Sequence, residues 1–310
     1  MIDNGVTMIG IDRTRERKNY LLFGSLEAFD RFFKRKISPT SNESVEYCIM
    51  EKFSSNRVLF TAEHSQTKRA MLKELGPRAY LGIGDKNTDI LAKIGAYYLR
   101  SAYLLPLFIR TEADASRPPE DLDKGLRLFV RASYAGHKTT YIPIHANRSF
   151  LPRLNEYHKT IEKLSPNVII SVHGLNVKRE FDLLFGFGED YECIGGKKEA
   201  FRFRNEFTYY LDSVFRETGI RSNLKIAVST WRFTGSQNYV LTKHIIEHNH
   251  TVKDPKKKRF GLQIEFNLRG RVDKEGSEFP TIPYQLAVQA LGDFVFKWNT
   301  SKDKKKETDS

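Results

Sequence analysis

The sequence predicts an α/β fold, a three-layer α/β/α arrangement around a central mixed, mostly parallel sheet. Three observations lead there. Short apolar runs alternate with amphipathic stretches of helical length. One run, Asn167–Gly174, carries Val168, Ile169, Ile170 and Val172, the composition of a strand buried on both faces. And 310 residues, 40% hydrophobic and 29% charged, suffice for a large buried core. The reading is one domain over residues 1–300, with 1–44 as a peripheral N-terminal segment and 301–310 as a charged, disordered tail.

Residues 1–20 are polar and basic apart from an apolar patch at Val6–Ile11. Ser25 caps a helix through Phe33. Ile37–Ser44 reads as a loop, Val45–Lys52 and Arg57–His64 as strands, and Ser65–Pro77 as a basic helical segment over the mouth of the site. Tyr80–Thr88 is a glycine-bearing loop. A helix then runs to Arg100 with Ile90, Leu91, Ile94, Ala96 and Tyr97 on its apolar side. Tyr103–Ile109 is a strand candidate interrupted by Pro106, and Thr111–Asp123 a loop rich in Pro and Asp. Leu126–Tyr134 fits helix or strand, Tyr141–His145 a short strand, and Leu151–Leu164 an amphipathic helix leading into the central strand. From His173 to Lys198 the glycines suggest a long mobile loop. Ala200–Glu217 reads as helix, Leu224–Ser229 as strand, Tyr239–His248 as helix, Phe260–Leu268 as strand and Tyr284–Lys297 as a closing helix.

Composition narrows the function. No apolar run is long enough to span a bilayer, and Met1–Gly5 shows no basic region leading into an apolar one. With Cys48 and Cys193 alone, neither a disulfide framework nor a cysteine zinc knuckle is available, and cytoplasmic residence is the expectation. Much of the net charge of +13 lies in Arg13–Lys18, Lys253–Arg259 and Lys302–Lys306. Such runs admit nucleic acid as a partner, but aromatics are not interleaved with them as a stacking platform needs. A basic field also attracts a small anionic substrate, the partner favoured here.

The chemistry collects at strand ends. A parallel strand presents functional side chains where its carboxyl end leaves the sheet, and His173 sits there, followed by Gly174. Val58–His64 repeats the pattern and ends on His64. Taken singly, either histidine is an ordinary core residue; together they suggest a shared metal. Three side chains commonly hold a hydrolytic zinc, often two histidines and a carboxylate. Asp85, in the glycine-bearing loop, is the third candidate, with Asp89 one helical turn later as its competitor. In Gly261–Arg269 the apolar positions alternate with Gln263, Glu265 and Asn267, which places those three on one face. If that face meets the cleft, Glu265 is a base for an activated water; the alternative is a face in water. His244, His248 and His250 read as surface residues on a helix end, and His145 as a neighbour of the site.

His64-Ser65, the Asp85…Thr88 loop, Asn147-Arg148, His173-Gly174 and Gln263-Ile264-Glu265 with its trailing arginines together resemble the N-formylglutamate amidohydrolase family, which belongs with the zinc carboxypeptidase-like hydrolases. The resemblance spans residues 57–271 and implies a zinc-exopeptidase-like fold. It implies His64, Asp85 and His173 as ligands of one divalent metal per chain, Zn2+ or a substitute such as manganese or iron, and Glu265 as the catalytic carboxylate. Asn147 and Arg148 resemble the pair that grips a substrate carboxylate, a task suited to arginine's planar fork; Arg269 and Arg271 are further candidates. Glu63-His64-Ser65-Gln66 departs from the family's small-residue run after the histidine. The expected activity is metal-dependent hydrolysis of an amide bond in a small N-acyl amino acid or carboxylate-bearing peptide, the alternative being a nucleic-acid or partner-binding protein on the same fold.

Overall fold

In the computed structural model, which describes residues 2–3, 5–13, 16–50, 53, 57–65, 85–126, 128–132, 140–175, 180–230, 233–271 and 279–308, the chain opens with a three-stranded antiparallel sheet. Its strands are β1 (Ile2–Asp3), β2 (Val6–Arg13) and β3 (Glu16–Phe23). The polar sequence of residues 1–20 concealed this ribbon, because its apolar patch is short. Helix α1 (Leu26–Lys36) follows, capped by the Ser25 hydroxyl, which accepts from the Ala28 N–H.

The main sheet takes β4 (Thr40–Ser41), β5 (Val45–Ile49), β6 (Val58–Thr61), β7 (Ala102–Pro106), β10 (Val168–Leu175), β11 (Leu183–Gly186), β12 (Ile226–Val228) and β13 (Phe260–Asn267). A separate antiparallel pair, β8 (Leu128–Ala132) and β9 (Thr140–Ile144), lies outside it. The main order is β12-β11-β13-β10-β6-β7-β5-β4. Pairing is parallel from β13 through β10 and β6 to β7 and between β11 and β12, and antiparallel at the other junctions. The mixed, mostly parallel sheet is therefore as expected. Strand β11 is the departure, since it occupies the stretch read as a mobile loop. Its glycines hid it. A side chain at Gly186 would run into the Phe233 and Thr234 backbone, so glycine here serves close packing and not a turn.

Helices cover both faces. Helix α2 (Thr88–Leu99) and the closing helix α8 (Ile282–Thr308) lie on one side, where the Phe60 ring faces Gly95 and Gly292. Helix α5 (Lys197–Thr218) packs beside α8. On the other side lie α4 (Leu151–Leu164) and α6 (Tyr239–Leu241), which continues through a π-helical stretch, Thr242–Glu247, into His248–Thr251. Leu241 and Ile245 lie over Gly261. Two short helices complete the set, α3 (Pro119–Asp123) within the expected Pro- and Asp-rich loop and α7 (Leu268–Arg271) directly after β13. Helix α8 continues through the stretch expected to be a disordered tail: residues 301–308 are rich in Lys and contain neither Gly nor Pro to stop it. The basic segment expected over Ser65–Pro77 lies, beyond Ser65, outside the described residues, as does the glycine loop at 80–84 and the Gln66 departure.

Two glutamines on α8 fasten the N-terminal ribbon. The Gln289 amide accepts from the Leu21 N–H at 2.9 Å and donates to its carbonyl at 2.8 Å. Gln285 does the same for Phe23, at 2.8 and 2.9 Å. The side chains thus stand in for a neighbouring strand along the free edge of β3. Phe23, Phe29 and Phe33 join the core beneath. Replacing Gln289 with leucine orphans a buried N–H and C=O, and urea unfolding should show a loss of about 2–4 kcal/mol, at roughly 1–2 per group.

Candidate metal centre

The period-two alternation of the strands builds the site. Thr61 and, past the end of β6, Glu63; Ser171 and His173 on β10; and Gln263 and Glu265 on β13 all project to the α4/α6 face. Register sets Ser171 beside Thr61 and Gln263, and His173 beside Glu265. All eight residues of β13 are buried, so its polar face meets the site and not water.

His64, Asp85 and His173 converge. One ligand atom from each lies within 4.8 Å of the others, and all three residues are buried. Asp85 Oδ2 is 3.3 Å from His64 Nδ1 and 3.4 Å from His173 Nδ1. The two rings meet edge to face at 4.8 Å. Asp85 is placed by its N–H, which donates to the His64 carbonyl, and by the start of α2, where Thr88 bonds back to its carbonyl. Its competitor Asp89 lies inside α2, electrostatically paired with Lys93.

Each imidazole is held from behind at Nε2. His64 Nε2 lies 2.9 Å from Asp114 Oδ1 and 3.1 Å from Ser116 Oγ. His173 Nε2 lies 3.1 Å from Glu63 Oε2 and 2.9 Å from Ser171 Oγ. With Nε2 facing a carboxylate, each ring turns Nδ1 toward the same Asp85 oxygen; burial would lower His173, but Glu63 and Asp85 hold it well above the usual imidazole range, so a metal would have to displace a proton from it. Two imidazole nitrogens and a carboxylate oxygen gathered at one point suit zinc once the protons between them are displaced. The donor set fits a divalent metal.

Titration follows the same logic. Burial alone would raise the Asp85 carboxyl, but hydrogen bonds and charge from His173 and His64 hold it well below the usual range. Burial pushes Glu265 up; the His173 charge opposes this and the Asp85 charge reinforces it. Gln263 Nε2 donates to Glu265 Oε1 at 2.7 Å, and Asn238 Nδ2 donates to Gln263 Oε1 at 3.1 Å.

The expected arginines are spent elsewhere. Arg148 donates to the Asp123 carbonyl and pairs with the Asp123 carboxylate at the surface, while Asn147 accepts from Ser149 at the start of a 3-10 turn. Arg269 binds Asp182 at 2.7 Å. Arg271 is fully buried and donates to the carbonyls of Phe266, Lys86 and Leu175. A side chain at Gly174 would overlap its guanidinium, so the room that glycine leaves is filled by this cation and not by a ligand. β13 ends at Asn267 and α7 takes over, so the strand does not continue to either arginine.

Sequence reasoning missed Asp114-Ala115-Ser116-Arg117, inside the stretch taken as a plain loop. Asp114 is buried, bonded to His64, to Arg110 Nε at 2.8 Å and to the Ser116 hydroxyl at 2.6 Å. His145, in a left-handed conformation (φ 53°), accepts the Asp114 N–H at Nδ1. Arg117 follows Ser116, its Nη2 donating to Gln237 at 3.3 Å and its buried Nε without a partner. An acid and a base three residues apart in a Pro-rich loop was the available signal, and it has no periodicity to single it out.

The fold and the cluster together define an α/β protein carrying a buried His-Asp-His candidate metal centre. No family model and no curated protein matches the chain. Solved structures similar to it include a gene product of Agrobacterium tumefaciens (TM-score 0.48, 13% identity, 86% of this chain and 97% of that one). N-formylglutamate amidohydrolase from Ralstonia eutropha is another (0.48, 12%, 84% and 98%), as is a bacteriophage poly-gamma-glutamate hydrolase (0.41, 13%, 89% and 97%). Likeness this remote leaves the chemistry to be read from the site.

His244, expected at the surface, is buried and lies 3.2 Å through Nε2 from His158 Nδ1. Burial lowers both, His244 to about 3 and His158 well below 6.5. The unfolded histidines take up protons near 6.5 that the folded pair refuses, so the pair's contribution is full above that pH and is lost as pH falls from 6.5 toward 3. Thermal unfolding from pH 7 to 4 should show a steeper fall for the natural chain than for a His158→Phe, His244→Leu double variant.

Proposed function

We propose that the protein is a metal-dependent amide hydrolase acting on a small N-acyl amino acid or carboxylate-bearing peptide. The observation that carries the reading is the convergence of His64 Nδ1, His173 Nδ1 and Asp85 Oδ2 beside Glu265, on the buried polar face at the strand ends. The amide as the bond cleaved rests on the motif resemblance to N-formylglutamate amidohydrolases. A divalent cation held by the three side chains supplies Lewis-acid polarisation of the scissile carbonyl. Glu265 takes the proton from the attacking water and returns it to the leaving amine, a role favoured by burial that raises its carboxyl above the usual range. Gln263 fixes the orientation of that carboxylate.

The substrate's own carboxylate needs a cation, and Arg117 replaces Arg148 in that role. It follows directly on Ser116, whose hydroxyl touches His64, and its Nε has a donor to give. In the run Lys253–Arg259, Arg259 is used internally, donating to the His244 carbonyl and the Ser165 hydroxyl.

Metal analysis of the purified protein should find a divalent ion in the natural chain and its loss in His173→Ala; no bound metal in the natural chain would refute the reading. Glu265→Gln should cut hydrolysis of N-acyl amino acids by roughly 10²- to 10⁴-fold while metal content stays unchanged. Arg117→Met should raise KM about 10- to 100-fold for substrates bearing a free carboxylate, and leave amidated analogues unaffected.

A further inference from the structure

Glu63 stands out among the buried groups that the proposed reaction does not use. It is 2% exposed, and no lysine or arginine of the described residues pairs with it. A buried carboxylate costs several kcal/mol to desolvate unless donors and charge compensate it. Its compensation comes from three side chains. Thr61 donates to Oε1 at 2.8 Å, the Ser171 hydroxyl lies 2.9 Å from both oxygens, and His173 Nε2 lies 3.1 Å from Oε2. Two of these are hydroxyls, which a neutral glutamine would satisfy at lower cost. The charge is matched by the imidazole alone.

The donors around it run in one direction. Asn238, the residue that caps α6, donates through Nδ2 to Ser171 Oγ at 2.8 Å. Ser171 then has its proton free for Glu63, and His173 has its Nε2–H for the same carboxylate. That leaves Nδ1 as the ring nitrogen of His173 that faces Asp85 and His64. Asp114 does for His64 what Glu63 does for His173, from a different part of the chain.

We propose that Glu63 is the positioning residue of the metal centre: it fixes the tautomer and ring orientation of His173, so that Glu63-His64 supplies in one dipeptide a ligand and the anchor of the other histidine. Resting on the metal reading above, this adds a residue that touches no metal. The carboxylate accepts from Nε2 and cannot donate to it, so Nε2 keeps its proton and Nδ1 is the nitrogen a metal can take. A glutamine can turn its amide and donate to Nε2, which moves the ring proton to Nδ1 and closes the ligand position. Carboxylates behind metal-bound histidines are typically worth 10- to 100-fold in metal affinity.

The experiment measures zinc affinity by competition with a chelator for the full natural chain and for Glu63→Gln, Glu63→Asp and Asp182→Asn. Asp182 is a buried carboxylate that binds Arg269 and the Lys225 N–H away from the histidines, and so serves as the control. Expected are a roughly 10- to 100-fold loss for Glu63→Gln, a smaller loss for Glu63→Asp, which keeps the charge, and no change for Asp182→Asn. The metal-free Glu63→Gln protein should unfold at a temperature near that of the natural chain, which separates lost orientation from a lost fold. Equal zinc affinity in Glu63→Gln and the natural chain overturns the role of Glu63 and leaves the metal centre standing. An equal loss in Glu63→Gln and Asp182→Asn assigns Glu63 to general stability and also overturns it. A natural chain that binds no zinc overturns both readings.

Discussion

Everything at the strand ends follows from an electrostatic conflict that the fold builds in. Two imidazole nitrogens and a carboxylate oxygen are turned toward one another within 4.8 Å, away from water, with further buried carboxylates behind both rings. Such a concentration of acceptors is costly in a medium that solvates charge poorly. The residues that gain nothing from packing here, Glu63, Asp85, Asp114 and Glu265, all belong to the candidate metal centre.

The sheet carries this polar stripe without losing its core because the two faces divide the work. Phe60, Val172, Ile264 and their neighbours fill the α2/α8 side, while Thr61, Ser171, His173, Gln263 and Glu265 fill the other. The polar side chains on that face bond one another along and across the strands, Thr61 and Ser171 with Glu63 and Gln263 with Glu265. Asn238 ties the network to the helix, and the Tyr239 N–H donates to the Ser116 carbonyl at 2.8 Å. The start of α6 therefore touches the support of both histidines at once. Arg271 works from the opposite side, gathering the carbonyls of Lys86, Leu175 and Phe266 and so drawing the Asp85 loop to the ends of β10 and β13.

Where the reading from sequence went astray, local pattern and tertiary use diverged. Arg148 has the composition of a carboxylate grip, but its neighbour in space is Asp123. His244 sits on a helix among exposed basic residues, yet the π-helical turn directs it inward to His158. The glycines around Phe185 suggest a loop, and they are there so that a strand can lie against the backbone of residues 233–234. In each case the side chain's chemistry was legible and its address was not.

Composition and periodicity by themselves determined the α/β class, the central β10 with its histidine, the second histidine at the end of β6, and the shared face of Gln263 and Glu265. These depend on contacts between residues close in sequence or on strict alternation, both of which are written locally. Tertiary structure decided the rest: that Asp85 and not Asp89 reaches the histidines, that Asp114 and Glu63 stand behind them, and that Arg148 pairs with Asp123 at the surface. Those placements rest on pairs far apart in the chain, such as Glu63 with Ser171 or Asn87 with Arg271, whose meeting is fixed by strand register and helix docking. No local pattern encodes it.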